Sequence, residues 1–479
     1  MSTGSAVSLE PRVSPARPAL GWATWLLLFV AAWYFLWPAY RVFLNVEIDT
    51  NEGWNAYFAD AAMGRMALYP SPEKLITNNY PPVSYYIVGG LGKLLGDPIL
   101  AGRLLSLTAV LVIGAMAAVA IRALGGDRAG AGFGAAFFVA TMSHFCERYV
   151  GMDDPQLLAQ AIMAIGFAWF LRAEAKGGSC LAPILLMGFA GFLKHNIIAM
   201  PGTAFLWLGF HRPREAVKCA AVAGVGVALG FALCFKLYGR DFFANMMFSR
   251  QYSWKLSLQA ARDLKPLVAA LAACVALGWF QWRDRGVRLI LLFIVVALGA
   301  DFLQRSGAGV DLNAGFDLMI AASLGVGLAF THAGRASQWR GLSPGMLQGG
   351  LLLAIGLRFA VSQIDDPNRP FRLLFDPSFK TEIATREAAM AAMIKKVRET
   401  PGPVMCANYV CYRAGKPFAV DRFNATQRMV TGALPRDALK SLIASGQITE
   451  VAADPRGNWG QPLRATAPTG SHSEKTSTP

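Results

Sequence analysis

Three groups of residues in this chain have the types and spacing to do chemistry. The first is an acidic stretch, Glu47-Ile48-Asp49-Thr50-Asn51-Glu52, directly after a long apolar run from Gly21 to Tyr40. The second is the pair Asp153 and Asp154, just before Pro155 and a further apolar run. The third is a set of cations and polar groups: Lys194-His195-Asn196, then Arg250 and Lys255, with Asn313 and Asp317 farther on. Carboxylates where a transmembrane helix meets water are costly to carry and read as functional by default. A carboxylate there can act as general base toward a hydroxyl, and nearby cations can hold a phosphate leaving group. Arginine suits bidentate phosphate contacts, whereas lysine acts as a point charge. Each group also has a plain structural use. Asp49, Asp153 and Asp154 can cap helices, and Lys194 and His195 can snorkel to an interface.

The elements that must position these groups are membrane spans. The chain has 479 residues, 54% hydrophobic and only 16% charged, which excludes an ordinary soluble domain. A span needs about 20 mostly apolar residues. Candidate runs lie at 20–42, 98–121, 129–146, 155–173, 180–199, 200–210, 215–237, 265–282, 288–304, 314–333 and 345–361. Their periodicity is helical, so the expectation is an α-helical polytopic membrane protein with about 11 spans. Glycines within them, such as Gly224, Gly226 and Gly230, suit close helix packing.

The formal net charge of +15 points to nucleic acid less than to topology, because the basic residues fall in alternate short loops. Arg12 and Arg17, Arg122 and Arg128, Arg172 and Lys176, His211 to Arg214, Arg283 to Arg288, and Arg335 with Arg340 follow this alternation. The positive-inside rule then places the N-terminus in the cytoplasm and everything after Val361 outside, across a cytoplasmic membrane. The loop 237–264 and its flanks break the rule. Lys236, Arg240, Arg250, Lys255, Arg262 and Lys265 are interleaved there with Tyr238, Phe242, Phe248, Tyr252 and Trp254. A negatively charged ligand at the outer surface is one explanation for such a violation, and snorkelling of these cations to lipid phosphates is the other.

Residues 1–19 read as a disordered cytoplasmic tail, 20–361 as the membrane domain with outer loops 45–80 and 237–264, and 466–479 as a disordered tail. In the first outer loop, Trp54, Phe58 and Ala61 at helical spacing predict an amphipathic helix lying at the interface. Residues 362–465 read as a small extracytoplasmic α/β domain. Strands are expected at Pro403–Val410, Lys416–Asp421 and Ile448–Ala452, with helices at Arg386–Arg398 and Leu439–Ala444. Cys406 and Cys411 leave a disulfide open in an oxidising compartment. No zinc-type Cys/His cluster, P-loop or dinucleotide fingerprint occurs. The carboxylates leave a divalent metal ion open as cofactor, but no ligand set is specified.

Asp49 to Glu52 after the first span, with Tyr80-Pro-Pro-Val-Ser-Tyr-Tyr86, resembles the first outer loop of GT-C-fold glycosyltransferases. These use polyprenyl-phosphate-linked sugars, and include the protein mannosyltransferases and lipid A aminoarabinose transferases. Met152 to Leu158 is similar to their second acidic site, Lys194-His195-Asn196 with Pro201 to a recurrent motif, and Asn313 to Asp317 to a late polar patch. The resemblance covers roughly the first 330 residues. It implies an inverting sugar transfer to a lipid, glycan or protein hydroxyl, with Asp49 as general base and Glu52 as the competing choice. Asp153 or Asp154 is then the second acid. Lys194, or the Arg250 and Lys255 region, then holds the lipid phosphate, with Tyr80, His195, Asn313 and Asp317 also lining the substrate site. A transporter or flippase of an anionic or lipid-linked substrate is the rival, though no internal repeat is visible and the polar residues gather at one face.

Overall fold

The computed structural model describes residues 20–336, 341–361 and 366–452. The expectations for 1–19, 466–479 and the end of 362–465 lie outside the described residues, as does Arg340. All eleven apolar runs form helices. They are α1 (Trp22–Arg41), α4 (Pro98–Ala123), α5 (Arg128–Phe145), α6 (Pro155–Ala175), α7 (Leu181–Ala190), α8 (Ala199–His211), α9 (Pro213–Tyr238), α12 (Val268–Gln281), α13 (Arg285–Gln304), α14 (Phe316–Arg335) and α15 (Pro344–Val361). Among the described residues eight helical stretches are long and apolar enough to cross a bilayer, so the chain is a multi-pass membrane protein. The expected span 180–199 is a correction: α7 has 10 residues and ends at Ala190, because Gly191 to Ile198 turns out of the helix. α8, at 13 residues, is also short.

Acidic caps start several of these helices. The side chain of Asp97 accepts from the Ile99 amide at α4, that of Asp127 from Gly130 at α5, that of Asp154 from Gln156 at α6, and that of Asp284 from Val287 at α13. Proline follows at the first position of α4 and α6, where its missing N–H costs nothing. The bundle centres on α14, which is buried along almost its whole length between α5, α12, α13 and α15. Close packing at glycine occurs there, where a Cβ on Gly130 would lie 2.4 Å from the Gly327 carbonyl oxygen. Of Gly224, Gly226 and Gly230, only Gly230 meets a neighbour tightly, the ring of Phe192.

Between α1 and α4 lie α2 (Asn51–Ala62) and α3 (Val83–Leu95). α2 is not the interfacial helix its spacing predicts. Nine of its twelve residues are buried, because it is clamped between α3 and the C-terminal segment. A Cβ on Gly53 would lie 2.1 Å from the backbone of Asn408 and Tyr409, so only glycine allows this approach. α10 (Arg240–Met246) and α11 (Trp254–Ala260) shape the basic loop before α12.

The C-terminal segment contains α16 (Arg369–Phe375), α17 (Pro377–Glu399), α18 (Asn408–Arg413), α19 (Arg422–Val430) and α20 (Ala438–Ala444). Its small sheet pairs β1 (Val404–Met405) in parallel with β2 (Thr449–Glu450), Val404 opposite Thr449. The expected strand Pro403–Val410 is thus cut after Met405, where the chain turns into α18, and Lys416–Asp421 forms no strand. Both segments satisfy backbone groups elsewhere: Asp421 N–H donates to the Leu75 carbonyl and Cys411 N–H to the Ala407 carbonyl. Cys406 and Cys411 form a disulfide. Asn424, which with Thr426 matches a glycosylation sequon, is buried against Asp421.

Candidate active site

All the sequence-predicted site residues lie at one end of the bundle, where α1, α5, α7, α9 and α13 end and α4, α6, α8, α12 and α14 begin. The acidic stretch splits into three environments. Glu52 is fully buried and its two oxygens accept from Arg103 Nε and Nη2, both at 2.7 Å, and from the Ile48 and Asp153 amides. Arg103 in turn donates to the carbonyls of Val42, Leu44 and Val46. Glu52 is therefore sealed in a structural ion pair and has no lone pair facing solvent. Glu47 is also buried, and burial together with Glu52 and Asp49 pushes its carboxyl up to about 8.

Asp49 differs from both. Its Oδ1 accepts from the Asn51 amide at 3.0 Å, and its Oδ2 lies 3.1 Å from Arg148 Nε at the open edge. Partial burial raises its carboxyl above the usual range, and Arg148 opposes that rise. Arg148 also bonds Asp311, which accepts from the Tyr149 hydroxyl at 3.1 Å. Asp311 caps the short turn Leu312–Gly315 that carries Asn313.

The second acidic pair divides as well. Asp154 caps α6 and pairs with Lys194 Nζ at 3.5 Å. Asp153 is buried against Gly102, where a Cβ would lie 1.8 Å from its Oδ1, and its Oδ2 has no partner. Burial and the nearby carboxylates of Glu52 and Asp154 hold Asp153 well above the ordinary carboxylate range. Lys194 Nζ also sits 3.4 Å over the ring of Tyr80, a cation–π contact that fixes the ammonium in place.

Beside this pair opens a cavity of about 370 Å³ whose wall includes Tyr80, Lys194, His195, Arg250 and Asn313, together with Asn79, Asn196 and Gln304. Asn196 Nδ2 donates to Gln304 Oε1 at 2.8 Å, joining the connection after α7 to the end of α13. Cations and amides line it without a carboxylate, so it suits an oxyanion. Two predicted residues stand apart. Lys255 is exposed on α11 outside the cavity wall. Asp317 is buried beneath it, accepting from Gln160 Nε2 at 3.0 Å and the Ala199 amide at 3.3 Å, where it ties α6, α8 and α14 together.

Sequence reasoning did not single out Arg103, although an arginine one turn into an apolar run is itself a strong signal of a partner. Nor did it find Asp421, a buried carboxylate that accepts from Trp54 Nε1 at 2.8 Å and Asn424. Only the chain path brings Asp421 to α2. Among the described residues no group of three or more His, Cys, Asp or Glu side chains is placed to hold a metal ion.

The helical bundle, its outer helices and the small C-terminal sheet together make a membrane fold known from other proteins. Two solved structures share it, both of ArnT from Cupriavidus metallidurans. The one bound to undecaprenyl phosphate superposes with a TM-score of 0.58 at 14% identity, covering 88% of this chain and 91% of the other. The apo structure gives 0.57 at 14% identity, covering 90% and 93%. No family model and no curated protein matches the chain.

Proposed function

We propose that this protein is an integral membrane glycosyltransferase that moves a sugar from a polyprenyl-phosphate-linked donor to an acceptor hydroxyl on the outer face of a cytoplasmic membrane. The observation that carries the reading is the placement of Asp49. It is the member of the acidic stretch whose carboxylate is at an open edge, one arginine away from the Asp311–Asn313 rim of a cationic cavity. The likeness to a fold whose solved example holds undecaprenyl phosphate supports a polyprenyl phosphate as the donor's carrier.

In this reading Asp49 takes the proton of the acceptor hydroxyl. The acceptor oxygen bonds to the anomeric carbon as the bond from that carbon to the phosphate oxygen breaks. The polyprenyl phosphate departs as an anion held by Lys194 and Arg250, and the anomeric centre inverts. Asp154 positions Lys194 through its ion pair, and Tyr80 fixes it from the other side. Arg148 orients Asp49.

The test is a cell-free assay with radiolabelled polyprenyl-phosphate sugars, comparing the protein with its Asp49→Asn variant. Loss of transfer with donor binding retained is expected. Equal transfer by the variant would remove Asp49 from the chemistry, and no transfer by the unmodified protein with any common donor would sink the reading.

A further inference from the structure

Two runs of contact lead from the start of α19, in the C-terminal segment, to the two cations of the Lys194–Arg250 cavity. The first begins at Asp421, whose Oδ1 caps α19 by accepting from the Asn424 backbone amide at 3.1 Å. Its Oδ2 accepts from Asn424 Nδ2 at 2.5 Å and from Trp54 Nε1 at 2.8 Å. Capping needs only one of these oxygens, so the bond to Trp54 is a separate commitment of the carboxylate. Trp54 is buried on α2, and a buried indole N–H that finds an acceptor holds its ring in one orientation. That ring meets Tyr80 edge-on, 5.0 Å between centroids. The backbone of Tyr80 is fixed by Asn78 Oδ1 and the Tyr69 hydroxyl, which leaves its ring to be set by what packs against it. Lys194 Nζ sits on that ring.

The second run begins two residues on. Phe423 covers Gly309 so closely that a Cβ there would overlap its ring, and the ring centroid lies 5.9 Å from Arg250 Cζ. One turn along α19, Gln427 Oε1 accepts from the Gln251 amide at 3.2 Å. The loop after α13 holds the same segment, with the Ala308 amide donating to the Gln251 carbonyl at 2.9 Å and the Ser253 amide to the Ser306 carbonyl at 2.7 Å. Arg250 Nε is nevertheless buried without a partner among the described residues. Packing and backbone bonds around it therefore place the guanidinium.

Ordering long side chains at the moment of binding costs affinity, so cations held in place beforehand bind an oxyanion better. We propose that Asp421 and Phe423 are positioning residues for the anion cavity, Asp421 setting Lys194 through Trp54 and Tyr80, and Phe423 setting Arg250. Neither lies in the cavity wall, so the C-terminal segment tunes donor affinity from behind it. This rests on the transferase reading above, which gives the cavity to the donor's phosphate.

The experiment is a set of double-mutant cycles on the binding of undecaprenyl phosphate, without sugar, to the full chain in phosphatidylcholine nanodiscs. Asp421→Ala should weaken binding about tenfold, the scale of one hydrogen bond to a charged group, and Phe423→Ala should weaken it less. Each loss should disappear when its own cation is already gone: D421A should add no more than about twofold to K194Q, and F423A no more than about twofold to R250A. The crossed pairs, D421A with R250A and F423A with K194Q, should multiply. Losses that multiply in every pair would mean general loosening and overturn the proposal, as would undiminished binding by D421A. If melting shows that D421A is unfolded, W54F replaces it, because that variant keeps a ring against Tyr80 and removes the N–H donor; the same pattern is expected, and undiminished binding again overturns the proposal. An unmodified protein that binds no undecaprenyl phosphate would remove the donor reading and this proposal together. Binding with the expected pattern but no sugar transfer from any donor would remove the transferase reading alone.

Discussion

The two ends of the helical bundle both carry charged residues and use them differently. At the end where α6 stops, Glu174 accepts from Trp207 Nε1 at 3.0 Å, Arg212 at 3.1 Å and Arg285 at 2.5 Å. Nearby Asp127 accepts from Gly130 and Thr331, and Arg122 donates to the Gly126 carbonyl. At the opposite end, among the described residues, Asp153 Oδ2, Gln156 Oε1, Asn196 Oδ1 and Arg250 Nε are buried without partners. An unsatisfied buried polar group costs about 1–3 kcal/mol, so several at one end mark a place where folding has given up stability. The satisfied end is structure. The unsatisfied end is where the proposed site lies.

That contrast can be broken at several points. Replacing Asp49 by Asn should lower kcat by about 10²–10⁴-fold, the usual worth of a general base, while thermal stability stays within error. A variant that unfolds instead would make Asp49 a structural cap. Glu52, only three residues on, should behave in the opposite way. Glu52→Gln strands Arg103 in the core, and breaking a buried pair costs about 3–5 kcal/mol, so the readout is folded yield and melting temperature. Normal stability in that variant would show that the pair does not hold the first outer loop.

At the far end, Glu174→Gln should destabilise by about 1–3 kcal/mol, yet leave activity per folded molecule unchanged. A fall in specific activity there would mean that the ends are coupled. The smallest effect concerns Arg148. Asp49 works as a base only when ionised, so transfer falls as pH drops through its raised pKa. Arg148 holds that pKa down. Arg148→Gln should therefore move the acid limb of the pH–rate profile to higher pH, and an unmoved limb would show that another group sets it.

The apolar runs were legible because hydrocarbon burial imposes long helices whatever the neighbours. The runs other than 180–199, the turn after the first span and the clustering of polar groups at alternate span ends all followed from local pattern. The likeness of fold was also legible, although the resemblance rested on roughly 330 residues and the shared fold extends over about nine-tenths of the chain. Less was legible in the C-terminal segment. Val404 to Val410 is apolar enough for a strand, yet Asn408–Arg413 folds as a helix because its backbone must fit against Gly53 of α2.

The sequence by itself determined that this chain crosses a membrane many times and carries its ionisable groups at the ends of its spans, since both follow from the cost of placing charge in hydrocarbon. It also pointed to a few carboxylates and cations as candidates. Only the tertiary structure gave them different surroundings. Asp49 and Glu52 are the same kind of group, one helical turn apart, and no local pattern separates them. Arg103, about fifty positions away in the sequence, closes over Glu52, while Arg148 meets Asp49 at an open edge. A carboxylate's availability depends on which cation the fold delivers to it and whether water is left beside it, and those are properties of packing.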